Sequence, residues 1–360
     1  MNAVLTDLDE ATPEWITETL RVSGHLTRGR VMTVTPTMEW SSSQVAHLAT
    51  TYSDDAPTSA PRHLLLKIAD PELEEKMPQR NKREIAFYSH IAPEVGDLPV
   101  VRCYTAAYQD GAVDHFHLLL DDPSATTHFA QKYSQVPPPF WQCERILDVL
   151  AQVHARLWNS PLLGGIEVER DRGEQHTGEA TPQFATWVTT TMPRFIAGLD
   201  DRIPQPRVAV YEQIGEGLVA RLREREAGSK NLTLIQGDVH AGNFLMPRDA
   251  EDKWYVIDWK RATRALGASD LSYMMALYWF PQVRSRWEVK LLRHYHERLM
   301  EHGVERYSWD DLWLDYRLCV MKQLFEAVWG WSVGQNTAIW WNHLERITLA
   351  IEDLHCLELL

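Results

Sequence analysis

Hydrophobic and polar positions change their period about a third of the way along the chain. Residues 31–38 and Gln44–Tyr52 are rich in Val, Thr and apolar side chains, and the polar stretch 39–43 between them predicts a hairpin turn of small hydroxyl residues. His63–Ile68 reads as a further strand, stopped at Asp70 and Pro71. Its alternation puts Lys67 on the face of His63 and Leu65, opposite Leu64, Leu66 and Ile68. Residues 82–91 predict a helix with Ile85, Phe87 and Tyr88 on its apolar side. A second hairpin turns at Asp110 and Gly111 and returns through 116–120, until Asp121, Asp122 and Pro123 break it.

Beyond that point the period becomes helical. Ile146, Leu150, Val153 and Leu157 form one stripe, and Val210, Ile214, Leu218 and Leu222 another. The stretch 160–181, with Gly164, Gly165, Gly173 and Gly178, reads as a long loop. Two short apolar runs, 232–235 and 254–257, each end at a polar cluster. After Ser269 the chain reads as helical and aromatic to its end, and no internal repeat or low-complexity segment interrupts it. The pattern predicts an α+β protein with a β-rich lobe over residues 1–122 and a larger, mostly helical lobe over 123–360.

Composition narrows the function classes. The 360 residues carry a net charge of −14, which repels a phosphate backbone on average and disfavours nucleic acid as a partner. The four cysteines, at 103, 143, 319 and 356, make no C-x-x-C pair, so a reducing, cytoplasmic setting is expected rather than a disulfide framework. The first residues lack a basic segment followed by an apolar one, and no long apolar run predicts a membrane span. Oligomeric state is not legible.

The chemistry concentrates in Gln236-Gly237-Asp238-Val239-His240-Ala241-Gly242-Asn243 and in Val256-Ile257-Asp258-Trp259. Each follows a short apolar run, so Asp238, Asn243 and Asp258 are expected on loops at strand ends. The 20 residues from Asp238 to Asp258 suffice for one loop and a returning hairpin strand. That layout predicts two carboxylates and an amide in one cleft. Such hard oxygen ligands suit Mg²⁺ shared with substrate phosphates, and a carboxylate outside the metal shell can take a proton from an attacking hydroxyl.

These residues resemble the protein-kinase-like small-molecule kinases: aminoglycoside phosphotransferases, choline kinases and the ecdysteroid-kinase-like proteins. The catalytic loop of those kinases reads H-G-D-x-x-x-x-N and their metal loop I-D-[WF], matched by 236–243 and 257–259 with Gln236 in place of the histidine. Lys67, Glu84 on the next helix, 118–122, the helix 149–158 and Ser269-Asp270-Leu271 match further segments in the same order, over roughly residues 30–280. The resemblance implies a bilobal protein-kinase-like fold and an ATP- and Mg²⁺-dependent transfer of phosphate to a small-molecule hydroxyl. The acceptors it implies are aminoglycoside-like, amino-alcohol or lipophilic alcohol compounds.

It also implies roles. Lys67 contacts the α/β-phosphates and Glu84 orients it. Asp238 accepts the proton of the acceptor hydroxyl. Asn243 and Asp258 hold Mg²⁺. Ser41, Ser42 and Ser43 cover the phosphates in a turn without glycine, and the backbone from Leu120 to Asp122 reads adenine.

Blander readings stand beside these. Lys67 and Glu84 alone are compatible with an ordinary ion pair, His240 with a hydrogen bond that orients its loop, and His154 with a satisfied helix position. Asp270 reads as a brace of the catalytic loop. Trp329, Trp331, Trp340 and Trp341 are expected to pack between helices; the sharper alternative puts some of them, with Glu326, around a cationic acceptor. Residues 215–220 match G-x-G-x-x-A but lie in a helical stripe and not after a strand, which makes a poor dinucleotide turn. Two other functions remain: a non-catalytic nucleotide-binding module, encouraged by Gln236, and a metallophosphoesterase, encouraged by Gly237-Asp238-Val239-His240 but lacking the later histidines.

Overall fold

The computed structural model describes residues 4–41, 44–70, 81–111, 114–130, 136–166, 181–228, 230–249 and 253–360. They divide into two compact units: Met1–His128 with Leu245–Lys260, and Phe129–Phe244 with Arg261–Leu360. Both are mixed in the expected way, the first built on a sheet and the second mainly helical.

The first unit holds an antiparallel five-stranded sheet of β1 (Val31–Ser41), β2 (Gln44–Tyr52), β3 (His63–Ile68), β4 (Cys103–Gln109) and β5 (His115–Asp121), in the order β1-β2-β3-β5-β4. β1 runs further than the sequence predicted. Ladder pairing with β2 carries Glu39, Trp40 and Ser41 into the strand, with Ser41 opposite Gln44. Ser42 and Ser43, two of the expected phosphate-covering residues, lie outside the described residues, and only the backbone of Ser41 is described.

Alternation in β3 works as expected. Leu64, Leu66 and Ile68 enter an apolar core with Ala46, Leu48, Tyr104 and Leu119. A helix that periodicity did not reveal, Pro13–Val22, closes this core with Ile16 and Leu20. Its start was readable in capping chemistry: Thr12 accepts from the Trp15 N–H and Pro13 occupies the first turn.

The helix Lys82–Ala86 passes into a π-helical turn, Phe87–Ile91. β6 (Thr127–Phe129), β8 (Phe244–Pro247) and β9 (Tyr255–Val256) form a small sheet with β8 in the middle. Before the Asp258 loop, β9 is anchored by the Val256 N–H, which donates to Pro99 O at 2.8 Å.

In the second unit the stripe is buried, Ile146, Leu150 and Val153 on the helix Phe140–Arg156 and Leu157 at its C-cap, and the helix packs against Pro281–Glu301. The helix Gln205–Glu226 contains the G-x-G-x-x-A segment, as its period required. Of the expected loop 160–181, residues 161–166 form a short 3₁₀ turn and 167–180 lie outside the described residues. β7 (Thr233–Ile235) pairs antiparallel with β10 (Thr263–Ala265) and leads into the Asp238 loop.

Candidate active site

In the first unit, β3 presents Lys67 and the following helix presents Glu84, both buried, and the ammonium pairs with Glu84 Oε2. Glu84 does not stop there. Its Oε1 accepts from the Trp259 backbone N–H at 3.4 Å. The Trp259 indole is fully buried and stacks on Phe87, one turn along from Glu84, with ring centroids 3.9 Å apart and planes 13° from parallel. One helix therefore holds both the lysine and the loop carrying Asp258. Asp258 itself has φ 61°, a left-handed conformation that costs an ordinary residue about 1–3 kcal/mol. Its Oδ2 lies 3.0 Å from Lys260 Nζ.

The strand-end segment expected to read adenine is more committed than the sequence implied. The Asp121 N–H donates to Arg102 O at 2.8 Å and the Asp122 N–H to His63 O at 3.1 Å. The Asp122 carboxylate meets His47 Nδ1 at 2.6 Å and accepts from the Ser124 N–H at 3.0 Å. Leu120 is buried in the sheet.

The second unit carries Asp238 and Asn243 on one loop. Gly237 makes its turn possible: φ is 80°, and a Cβ there would lie 2.5 Å from Arg261 O. Gln236, in the place of the family's histidine, is fully buried, and its Oε1 accepts from the Asp238 N–H at 2.7 Å. An amide carbonyl needs no charge to hold that N–H. Asn243 Nδ2 donates to Asp238 O at 2.9 Å, and His240 Nδ1 accepts from the Gly242 N–H at 3.1 Å, so His240 orients the loop.

Asp270, fully buried, accepts from the Gln236 N–H at 2.8 Å and the Gly237 N–H at 2.9 Å. His154 lies between Asp270 Oδ2 (3.2 Å) and the Tyr295 hydroxyl (2.7 Å), a fully satisfied position. Both side chains brace the loop.

Two residues around Asp238, Tyr273 and Arg261, escaped sequence reasoning. The Tyr273 hydroxyl donates to Asp238 Oδ1 at 2.7 Å. Arg261 Nη1 donates to the Tyr273 hydroxyl at 3.0 Å, and Arg261 Nη2 to Glu326 Oε1 at 2.5 Å. Burial first, then the neighbouring Asp238 charge, holds the Tyr273 phenol well above its ordinary range. The available signal was position: Tyr273 is one helical turn after Asp270. Glu326, considered for a cationic acceptor, accepts from Arg261 through Oε1. Trp331 and Trp340 pack their rings on Phe195, as interhelix packing predicts.

Among the described residues, no group of three or more His, Cys, Asp or Glu is arranged to hold a metal by itself. His294 and His296 bond Asp148 and Tyr307 O instead.

The model of the ecdysteroid kinase-like family matches residues 42–305. The chain belongs to the ecdysteroid kinase-like family. No curated protein matches it in sequence. Among solved structures, a putative aminoglycoside phosphotransferase from Ralstonia eutropha is similar at a TM-score of 0.53 and 14% identity, over 96% of this chain and 98% of that one. A microcompartment-associated aminopropanol kinase is similar at 0.50 and 10%, over 94% and 96%. This ecdysteroid kinase-like protein thus has the fold of protein-kinase-like phosphotransferases. Among its described residues no helix is long and apolar enough to cross a membrane.

Proposed function

We infer that the protein transfers the γ-phosphoryl group of ATP to the hydroxyl of a small molecule. The observation that carries this reading is Glu84, which joins Lys67 to the Trp259 backbone beside a strained Asp258. An ordinary surface ion pair has no reason to be buried, nor to engage a loop 175 residues away.

Phosphoryl transfer demands positioning and charge neutralisation more than covalent chemistry. Lys67, held by Glu84, binds the α/β-phosphates. Asp238 accepts the proton of the acceptor hydroxyl as its oxygen attacks phosphorus. Asn243 and Asp258 supply oxygen ligands to Mg²⁺, which when bound neutralises phosphate charge. With the N–H groups of Asp121 and Asp122 already bonded, adenine recognition falls to the carbonyls of that segment. Ser41, Ser42 and Ser43 are proposed to face the phosphates. The acceptor is an aminoglycoside-like, amino-alcohol or lipophilic alcohol compound, in keeping with the names of the similar kinases. Four free thiols, three of them buried, agree with a reducing cytoplasmic setting.

The test is ADP release with ATP and Mg²⁺ across a panel of these three acceptor classes. One class is expected to stimulate release, and Asp238→Asn to reduce it by about 10²–10⁴-fold. An Asp238→Asn variant as fast as wild type would remove the assigned base. Nucleotide binding without release for any acceptor would favour the non-catalytic module.

A further inference from the structure

Asp238 is held by a chain of side chains that the loop motif does not contain. Arginine is only a donor, so Arg261 Nη1 can meet the Tyr273 oxygen only through its lone pairs. The single hydroxyl proton of Tyr273 is then directed at Asp238 Oδ1, 2.7 Å away. Arg261 is fixed from its other side by Glu326, and its guanidinium also lies 5.3 Å from the centre of the Tyr273 ring. Tyr273 and Glu326 are buried.

Asp238, by contrast, keeps partial exposure, with Oδ2 4.0 Å from His240 Nε2. One carboxylate oxygen is thus occupied by the Tyr273 hydroxyl, which leaves the other for a further partner.

We propose that Tyr273 is a positioning residue that fixes which oxygen of Asp238 meets the acceptor hydroxyl, and that the Arg261–Glu326 pair locks Tyr273 in that role. It rests on the reading of Asp238 as the base. A base must come within about 2.6–3.2 Å of the proton it takes, and an error near 1 Å costs on the order of 10²-fold in rate. Without the Tyr273 hydroxyl, the Asp238 carboxylate can turn about its terminal bond and lose that alignment. The ring of Tyr273 fills the same core space in phenylalanine, so Tyr273→Phe removes the hydrogen bonds to Asp238 and from Arg261 but little packing.

The experiment has two arms. In turnover, Tyr273→Phe is expected to lower kcat by about 10–100-fold while KM for ATP and acceptor stays within about twofold. Arg261→Gln, which still donates but cannot pair ionically with Glu326, is expected to fall between that variant and wild type. A Tyr273→Phe variant with wild-type kcat overturns the proposal, as does a loss confined to KM. The second arm needs no acceptor: a crystal structure of free Tyr273→Phe protein is expected to show the Asp238 carboxylate rotated or split between two orientations. A carboxylate unchanged from wild type overturns the proposal. Should wild-type protein release no ADP with any acceptor, the kinase reading fails, and the crystallographic arm still decides the positioning role.

Discussion

Glu84 and Trp259, 175 residues apart, meet where a carboxylate oxygen accepts the indole residue's backbone N–H. The same carboxylate pairs with Lys67 through its other oxygen. Opposite charges taken out of water are tolerable only together, and removing one strands the other. Lys67→Met is therefore expected to destabilise the protein by about 3–5 kcal/mol, and the double variant Lys67→Met, Glu84→Leu by clearly less. Urea denaturation of the single and double variants measures the difference. Equal losses would show that the charge left behind was not the cause.

Asp258 adopts φ 61° without being glycine. Replacing it tests whether that strain serves chemistry. Asp258→Gly and Asp258→Ala both delete the carboxylate and its contact with Lys260, but only glycine adopts the conformation without cost. Asp258→Gly is expected to be the more stable of the two by about 1 kcal/mol. Both are expected to lose turnover. Thermal and denaturant unfolding decide the first point, ADP release the second.

Gly237 is constrained twice, by a φ of 80° and by the 2.5 Å that would separate an added Cβ from Arg261 O. Gly237→Ala must shift the Asp238 loop or the Arg261 backbone. A stability loss above about 1 kcal/mol is expected, together with a drop in kcat, because the same peptide carries the N–H that Asp270 holds. An unperturbed melting temperature would mean that the loop can move freely there.

Burial pushes both His117 and His343 down to about 4. Each is neutral in the folded chain between about pH 4 and pH 6.5, whereas the unfolded chain takes up a proton there. Folded pKa values below the unfolded one mean that stability is present above pH 6.5 and drains away as pH falls toward 4. At pH 5 each histidine costs about 2 kcal/mol relative to pH 7. Denaturation at the two pH values should show a steep loss, shallower in His117→Gln and in His343→Gln. A loss unchanged by both substitutions would assign the acid sensitivity to carboxylates instead.

The sequence determined much by itself, and for a physical reason: local chemistry is written in local residues. Alternation in His63–Ile68 placed Lys67, helical period buried Ile146 to Leu157, and the two loops after short apolar runs named Asp238, Asn243 and Asp258. The bracing role of Asp270 also followed from position, while His240 stood open between orienting its loop and catalysis. What only the tertiary structure decided were contacts between residues far apart in the chain, which no period encodes. Glu84 reaching Trp259, the Gln236 side chain accepting from the Asp238 N–H, and residues 245–260 folding with the first unit belong to that class. So does the chain from Glu326 through Arg261 and Tyr273 to Asp238: four ordinary residue types, spread over almost 90 positions, whose meaning lies in distances of 3 Å or less that only the folded backbone sets.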